Sequence, residues 1–229
     1  LHNNRHSFPT RRSSDLNLVT SAPWELDGFD LPADYVPVGP VFAHLPGEVP
    51  EIVRDLADRP TPLVYAALGS SGSRALALRM IAELGKLPVL VVAPLTGLLR
   101  PTDLDGVPPN VHLTDLLPAH RLGGLVDAAV LHGGEGTVQT AGATGVPFVG
   151  IPLQAEQRFN VDQRVRWGTA VRVDPRRVGG PSFARALRTV LDDDGVHRAA
   201  REVAERYRGI DGGTRAAREI ESFVSPGNG

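Results

Sequence analysis

A glycine-rich segment that follows an apolar run is the feature of this sequence most suited to chemistry. The run Ala128–Leu131 leads directly into His132-Gly133-Gly134-Glu135-Gly136-Thr137. Glycines allow a sharp turn, and a helix that begins in such a turn presents unpaired backbone N–H groups together with the positive end of its dipole. We expect the N–H groups of Gly134, Gly136 and Thr137 to form an anion site that suits a diphosphate. Taken alone, the segment fits a simple strand-to-helix turn equally well.

A second polar group follows the next apolar run of the chain. The run 148–151 leads into a segment that contains Pro152, Gln154, Glu156, Gln157 and Asn160. Open parallel sheets bind ligands outside the carboxyl ends of their strands. Amides and a carboxylate at such a place can hydrogen-bond the hydroxyls of a sugar. A polar loop with a solvated helix start remains the alternative for this group.

Six short apolar runs alternate with helical stretches between residues 63 and 173. The predicted strands cover 63–68, 89–93, 111–113, 128–131, 148–151 and 170–173. The predicted helices cover 49–58, 74–84, 120–126, 135–143 and 159–167, and two or three more occupy 181–224, the last with Thr214 as its N-cap. Such alternation is typical of βαβ units and a parallel sheet covered on both faces. The sequence therefore predicts an α/β fold, a Rossmann-like doubly wound parallel sheet with C-terminal helices.

Composition narrows the class of function. A formal net charge of −2 argues against a nucleic-acid partner, which would need a strongly basic surface. The absence of cysteine excludes disulfides and thiolate metal sites, and it fits a cytoplasmic setting. Apolar runs fall short of the roughly 20 residues that cross a bilayer. No spacing of His, Asp and Glu in the sequence indicates a metal site.

Other candidate motifs are given plainer interpretations. The turn 69–72 lacks the glycine pattern and the later acidic residue of a dinucleotide site, which disfavours an NAD-dependent oxidoreductase. The same turn lacks the frame of a nucleophile elbow, and it better fits the phosphate side of a site. His112 and His120 are expected to be structural, and Asp192-Asp193-Asp194 is expected to be a solvated helix end.

The two polar groups together resemble the donor-binding signature of UDP-glycosyltransferase-like enzymes. The matching residues are His132 to Thr137, Ala141, Gly145-Val146-Pro147, Pro152 and Glu156-Gln157-Arg158-Phe159-Asn160. The branch most resembled is bacterial and acts on macrolides, glycopeptides and other natural products. Segments 38–40, 65–70 and 115–118 fall where that family places its linker, its first donor-domain strand and its pre-motif loop. The resemblance extends from about residue 17 to the C-terminus.

The resemblance implies a two-domain GT-B glycosyltransferase of which this chain is the C-terminal, donor-binding half. The implied reaction is an inverting, metal-independent transfer of a hexose or deoxyhexose to a hydroxyl of a small-molecule acceptor. The donor would be a UDP- or TDP-sugar, bound as a substrate, and no cofactor is implied. The general base and the acceptor pocket are expected in an N-terminal domain, so no catalytic residue is assigned here. A non-catalytic nucleotide-sugar-binding fragment remains the alternative.

The resemblance also implies roles for individual residues. The diphosphate would be held by His132, Gly134, Gly136 and Thr137, beside Glu135 and near Ser70. The sugar hydroxyls would be held by Glu156 and Gln157, beside Gln154. The base would be held by backbone groups of Leu117. Three positions depart from the family pattern. Leu116 stands where many relatives carry an aromatic residue that stacks on the base, and Ala119 and Thr140 stand where plant relatives carry a glutamine and a ribose-binding glutamate. Uridine and thymidine therefore both stay open.

The domain boundaries follow from these assignments. Residues 7–16 resemble a common sequencing adapter read as codons, so residues 1–16 are predicted to be an artefact, with a disordered polar terminus as the alternative. Residues 17–38 are predicted to be the tail of a missing N-terminal domain and a linker. The nucleotide-sugar-binding domain is predicted at 39–224, followed by a disordered tail at 225–229.

Overall fold

The computed structural model describes residues 16–42 and 44–225. The predicted artefact, apart from Leu16, and residues 226–229 of the predicted tail lie outside the described residues. The strands are β1 (Asn17–Val19), β2 (Tyr35–Pro37), β3 (Leu63–Ala67), β4 (Leu90–Ala93), β5 (Val111–Leu113), β6 (Ala128–Leu131), β7 (Phe148–Gly150) and β8 (Ala170–Arg172). The α-helices are α1 (Glu51–Ala57), α2 (Arg74–Leu84), α3 (Glu135–Thr144), α4 (Ala155–Arg166), α5 (Pro181–Asp192), α6 (Asp194–Tyr207) and α7 (Gly212–Val224).

The described chain divides into two compact units. One contains residues up to Phe42 together with those from Gly209 onward, and the other runs to Arg208. The nucleotide-sugar-binding domain was predicted to cover 39–224. Its last helix, α7, belongs to the first unit together with the residues up to Phe42. Each unit has its own sheet or core and is described separately below.

The first unit holds regular structure in the segment that was predicted to be the tail of an N-terminal domain and a linker. Strands β1 and β2 pair in parallel, and Asn17 Nδ2 donates to Asp34 Oδ2 at 2.7 Å. Three-residue strands are too short to produce a readable alternation of apolar and polar residues. A Cβ at Gly212 would lie 2.3 Å from the carbonyl oxygen of Gly39, so only glycine allows this approach of α7.

The N-cap of α7 corrects the sequence prediction. Asp211, and not Thr214, caps this helix, because Asp211 Oδ1 accepts a hydrogen bond from the backbone N–H of Thr214 at 2.9 Å. A carboxylate at this position satisfies an N–H that the helix leaves unpaired. The helix consequently begins at Gly212, three residues earlier than an N-cap at Thr214 would place it.

The second unit is built on a six-stranded, entirely parallel sheet. Its strand order is β5-β4-β3-β6-β7-β8. Counted from the first strand of this sheet, the order is 3-2-1-4-5-6, the doubly wound arrangement that was predicted. The chain reverses its winding direction between β3 and β6, which pair directly through Ala67 and Leu131. The carboxyl ends of these two strands mark the topological switch point, where such folds bind ligands.

Hydrophobic side chains cover both faces of the sheet. Successive residues of a strand point to opposite faces. Val64 accordingly belongs to the cluster formed with α2 and α5, where Met80 and Phe183 are fully buried. Leu63 belongs to the opposite cluster, where α1, α3 and α4 contribute buried residues such as Leu56 and Val161. Two buried faces explain why the strands appear in the sequence as continuous apolar runs.

The predicted strands of this sheet are all confirmed, with ends that differ by no more than one residue. The helix predicted at 120–126 is wrong. Only a single 3₁₀ turn, Ala119–Arg121, forms there, and Gly124 follows with a φ of +77° that a right-handed helix cannot contain. Helix α4 begins at Ala155, four residues before the predicted start, because its first turn is polar and carries no apolar periodicity. Within the part of the chain that the structure describes, no helix has the length and apolar character needed to cross a membrane.

Candidate functional site

Two loops meet at the carboxyl edge of the sheet where β3 and β6 lie side by side. The first loop is the 3₁₀ turn Gly69–Ser71 after β3, and the second is the segment 132–134 between β6 and α3. Their strands pair over four residues, ending at Ala67 and Leu131. The loops are therefore neighbours in space although about sixty residues separate them in the chain. This is the location that the sequence predicted for an anion site.

The imidazole of His132 lies between the glycines of these two loops. A Cβ at Gly69 would lie 2.5 Å from Cε1 of His132, and a Cβ at Gly134 would lie 2.6 Å from its Nε2. Gly69 also adopts a φ of +55°. Glycine is thus required at both positions by the ring that packs against them. The ring of His132 packs between the two loops and so sets the distance between them.

The protonation state of His132 follows from its surroundings. The residue is only 8% exposed, and burial lowers the pKa of its ring, an effect that the Ala67 backbone and the Glu156 carboxylate oppose in part. Nδ1 is buried and has no hydrogen-bond partner among the described residues. The Ala67 backbone lies outside hydrogen-bond geometry, although it favours the protonated ring. The ring is therefore neutral near pH 7, with one nitrogen able to accept and the other able to donate.

The amino end of α3 offers two backbone N–H groups to the site. Those of Gly134 and Gly136 have no acceptor among the described residues. The N–H of Thr137 does not join them, because it donates to the carbonyl oxygen of Gly134 at 3.0 Å. This corrects the expectation that Thr137 contributes its N–H to the anion site. The Glu135 carboxylate turns along the helix and accepts from Gln139 Nε2 at 3.3 Å.

Gly136 differs from its neighbours in having free space beside it. A Cβ at this position would meet no atom of the described chain within 4 Å. Packing within the protein therefore does not require glycine here, in contrast to Gly69 and Gly134. The space is open at the positive end of the helix dipole, where an anion is favoured.

The first turn of α4 borders both loops. Asn160 Nδ2 donates to the carbonyl oxygen of Gly133 at 3.1 Å and to Glu156 Oε1 at 2.6 Å. Gln157 is 2% exposed, and its Nε2 donates to Ser71 Oγ at 3.0 Å. Gln154 is exposed and makes only a long contact of 3.5 Å with the same hydroxyl. Glu156 is exposed, so among these side chains it presents a carboxylate to solvent at the edge of the site.

The predicted pre-motif loop is tethered from a neighbouring loop. Thr96 Oγ1 donates to the Thr114 carbonyl oxygen at 3.1 Å and to Asp115 Oδ1 at 2.8 Å. Leu117 is 3% exposed, and its carbonyl oxygen accepts from the backbone N–H of Ala119 at 2.8 Å, so its role as a backbone contact stays a prediction. Leu116 is 78% exposed, and a large apolar side chain held in solvent at this edge is available to contact a flat ring.

Most of the predicted site residues share this edge of the sheet, and the structure adds one that sequence reasoning missed. The missed residue is Ser71, which binds Gln157, whereas Ser70 beside it is exposed. The turn 69–72 was already noted for its composition, but its partner lies 86 residues away. Thr137 lines a small apolar cavity with Tyr65 and Leu131, and neither Gly134 nor Gly136 is among the residues that line it.

The sequence of this chain matches a family of known proteins. The family model described as "Erythromycin biosynthesis protein CIII-like, C-terminal domain" matches residues 78–211, more than half of the chain. A PGL/p-HBAD biosynthesis glycosyltransferase of Mycobacterium tuberculosis is 32% identical over 194 residues, which cover 84% of this chain and 44% of that protein. The 4'-demethylrebeccamycin synthase of Lentzea aerocolonigenes is 34% identical over 218 residues, which cover 93% of this chain and 51% of the synthase.

A solved structure has the same fold. The spinosyn rhamnosyltransferase SpnG complexed with thymidine diphosphate superposes with a TM-score of 0.75 at 22% identity, over 90% of this chain and 56% of that protein. The chain spans about half the length of the curated relatives it matches. The chain therefore belongs to the erythromycin biosynthesis protein CIII-like C-terminal-domain family of macrolide-type GT-B glycosyltransferases.

Proposed function

We propose that this chain binds the nucleotide-sugar donor of a natural-product glycosyltransferase. The observation that carries the proposal is the pair of loops at the switch point, with free N–H groups on Gly134 and Gly136 beside a buried, neutral His132. A diphosphate fits this arrangement because it needs several donors and a positive dipole end without a large net positive charge. The formal net charge of −2 for the whole chain agrees with a local site of this kind.

The sugar is proposed to lie against the start of α4. Glu156 is exposed there, and its carboxylate is oriented by Asn160, so it can accept hydrogen bonds from sugar hydroxyls. Gln154 is exposed beside it and can both donate and accept. The nucleobase is proposed to lie over Leu116 and the backbone of Leu117, where an exposed apolar side chain provides a surface without an aromatic ring.

The site suits departure of a nucleoside diphosphate. When the bond between the anomeric carbon and the phosphate oxygen breaks, negative charge grows on that oxygen. Preorganised N–H groups at the amino end of α3 stabilise such charge without having to reorganise. A ring nitrogen of His132 that carries its proton can donate to the same phosphate. We propose that the transfer inverts the anomeric centre and requires neither metal ion nor cofactor.

The rest of the reaction is proposed to depend on a second domain. An acceptor hydroxyl must be deprotonated as it attacks, and we propose that a general base and an acceptor pocket are supplied by an N-terminal domain of the whole enzyme. The transferred group is proposed to be a hexose or deoxyhexose, and the acceptor a small molecule. A cytoplasmic setting stays a prediction from the cysteine-free composition.

Titration calorimetry tests the donor site directly. UDP, TDP and their glucose conjugates are titrated into the full chain up to about 1 mM, the upper end of common substrate constants. We expect saturable binding of at least one diphosphate, and tighter binding of its glucose conjugate if Glu156 contacts the sugar. Absence of saturable binding by all four ligands would refute the proposal.

A non-catalytic role in binding the nucleotide sugar is the second candidate, because the described site provides N–H groups for a diphosphate while none of its residues is assigned as a general base. Two assays distinguish the enzyme from the non-catalytic binding role: hydrolysis of the donor and transfer of its sugar to a model acceptor. Each is measured with the chain alone and with an added N-terminal domain. Transfer that needs the added domain supports the enzyme, and binding without transfer in either mixture supports the binding role.

A further inference from the structure

A groove bordered by four arginines lies beside the amino end of α5. This arginine groove is lined by Arg79, Arg176, Arg177 and Arg185, all of which are exposed. It has a volume of about 520 Å³, and none of the described acidic residues lines it. None of its four arginines forms a salt bridge with a described acidic residue. The groove therefore concentrates positive charge without a counter-charge, in a chain whose formal net charge is −2.

The fold brings these arginines together from three elements. Two of them belong to the 3₁₀ turn Pro175–Arg177, which follows β8. Helices α2 and α5 pack on the same face of the sheet, so Arg79 of α2 and Arg185 of α5 both lie beside this turn. Nη2 of Arg79 lies 3.5 Å from the carbonyl oxygen of Pro175, although 96 residues separate the two in the chain. The charge cluster is thus a product of helix packing and not of one basic segment.

The first turn of α5 adds neutral donors to the groove. Pro181, its first residue, has no N–H. The backbone N–H of Ser182 has no acceptor among the described residues, and neither does its hydroxyl. Ser182 lines the groove at the positive end of the helix dipole. Guanidinium groups, a free N–H and a hydroxyl are together the donors that bind phosphate oxygens in proteins.

A second, wider groove continues from the first. It has a volume of about 910 Å³ and shares Arg177, Ser182 and Arg185 with the arginine groove. The one described acid that lines it is Asp174, whose Oδ1 accepts a backbone N–H at 2.8 Å. Its other two arginines each form an ion pair with Asp162. The excess positive charge is therefore confined to the shared end, and the wider groove leaves room for the rest of a bound molecule.

We propose that the arginine groove binds a small soluble molecule that carries two or more phosphate groups. Guanidinium groups bind phosphate through two parallel hydrogen bonds, and four of them offset the charge of more than one phosphate. The concave shape admits a small molecule, whereas a flat membrane surface would reach only the rim. This site is separate from the donor site, which relies on the N–H groups of α3, and it does not depend on the proposed function.

The test is a calorimetric titration of the full chain with tripolyphosphate. We expect saturable binding, and we expect Arg177→Gln and Arg185→Gln each to weaken it about three- to tenfold, the range of one hydrogen bond. Arg188→Gln is the matched control, because it removes the same charge from the exposed surface of the same helix but outside the groove. Arg188→Gln should bind the probe like the wild type. All three variants should have the urea-unfolding midpoint of the wild type, since the residues are exposed.

The donor site is a possible second place for the same probe, and Gly136→Ala separates the two. Binding that survives Gly136→Ala and weakens in Arg185→Gln belongs to the arginine groove. The reverse pattern would place the probe at the donor site alone and overturn the inference. Equal weakening by Arg185→Gln and Arg188→Gln would also overturn it, because only diffuse charge would then be at work.

Two further results count against the inference. One is the absence of saturable binding up to about 1 mM tripolyphosphate. The other is binding that depends on Arg177 and Arg185 but occurs only on vesicles of phosphatidylglycerol in a sedimentation assay, which would make the groove a membrane contact. Failure of UDP and TDP to bind, with tripolyphosphate binding that still depends on Arg185, would refute the proposed function and leave the arginine groove in place.

Discussion

Replacement of Gly136 by alanine should separate ligand binding from folding. A Cβ at this position meets no atom of the described chain within 4 Å, and its φ lies outside the left-handed region. Gly136 is the second residue of α3, and alanine is favoured over glycine inside a helix by about 0.5–1 kcal/mol. The gain in the first turn should be a fraction of this. We therefore expect the free energy of unfolding to stay the same or rise by a few tenths of a kcal/mol.

Binding should respond in the opposite direction. If the diphosphate accepts a hydrogen bond from the N–H of Gly136, an added methyl group occupies the space through which the phosphate oxygen approaches. Loss of a hydrogen bond to a charged group costs about 1.5–3 kcal/mol. That range corresponds to a roughly 10- to 150-fold rise in the dissociation constant.

Two measurements on the same protein check this prediction. Urea unfolding gives the stability, and calorimetry with UDP and TDP gives the affinity. Gly179→Ala serves as the control, because a Cβ there also meets nothing within 4 Å and the residue lies in the loop before α5. An unchanged affinity for Gly136→Ala would show that no phosphate packs against this glycine. Gly134 is unsuitable for the test, since any side chain there collides with His132.

Three further changes have expected outcomes. Burial lowers the pKa of His132 below its usual 6.5, so its contribution to stability is complete above pH 6.5 and is lost as the pH falls through the lowered folded-state pKa. As the pH falls below 6.5, the urea midpoint of the wild type should then fall more steeply than that of His132→Asn, and equal slopes would contradict this. The pKa of His120 is also lowered, but that effect is common to both proteins and cancels in the comparison. Leu116→Trp should bind UDP and TDP about 2- to 10-fold more tightly, because an aromatic ring adds about 0.5–1.5 kcal/mol when it stacks, with no change in the unfolding midpoint; weaker or equal binding would place the base elsewhere. Tyr207→Phe should lower the free energy of unfolding by about 1.5–3 kcal/mol, since it removes the hydroxyl that the buried guanidinium of Arg164 contacts at 3.0 Å, and a smaller loss by urea titration would show that other contacts of Arg164 suffice.

The type of an element could be predicted from the sequence where a few consecutive residues already show its hydrophobic pattern. The apolar runs of β3 to β8 are confirmed because both faces of this sheet are buried, which writes each strand as a continuous hydrophobic segment. Prediction failed where a single backbone conformation or a few hydrogen bonds decide the structure. The segment 120–126 has apolar residues at helical spacing, yet Gly124 adopts a positive φ and ends the turn. Helix α4 starts earlier than predicted because hydrogen bonds, and not an apolar stripe, order its first turn.

The sequence by itself determined the chemistry of the site, because residue type is a local property. A glycine turn before a helix provides backbone N–H groups, and a carboxylate with amides after the next strand provides partners for hydroxyls. Only the tertiary structure decided which of these groups is available. The pairing of β3 with β6 packs Gly69 against His132, and α4 buries Gln157 against Ser71, 86 residues away. Such contacts depend on strand order and on the burial of whole helices, and no local pattern encodes either of them.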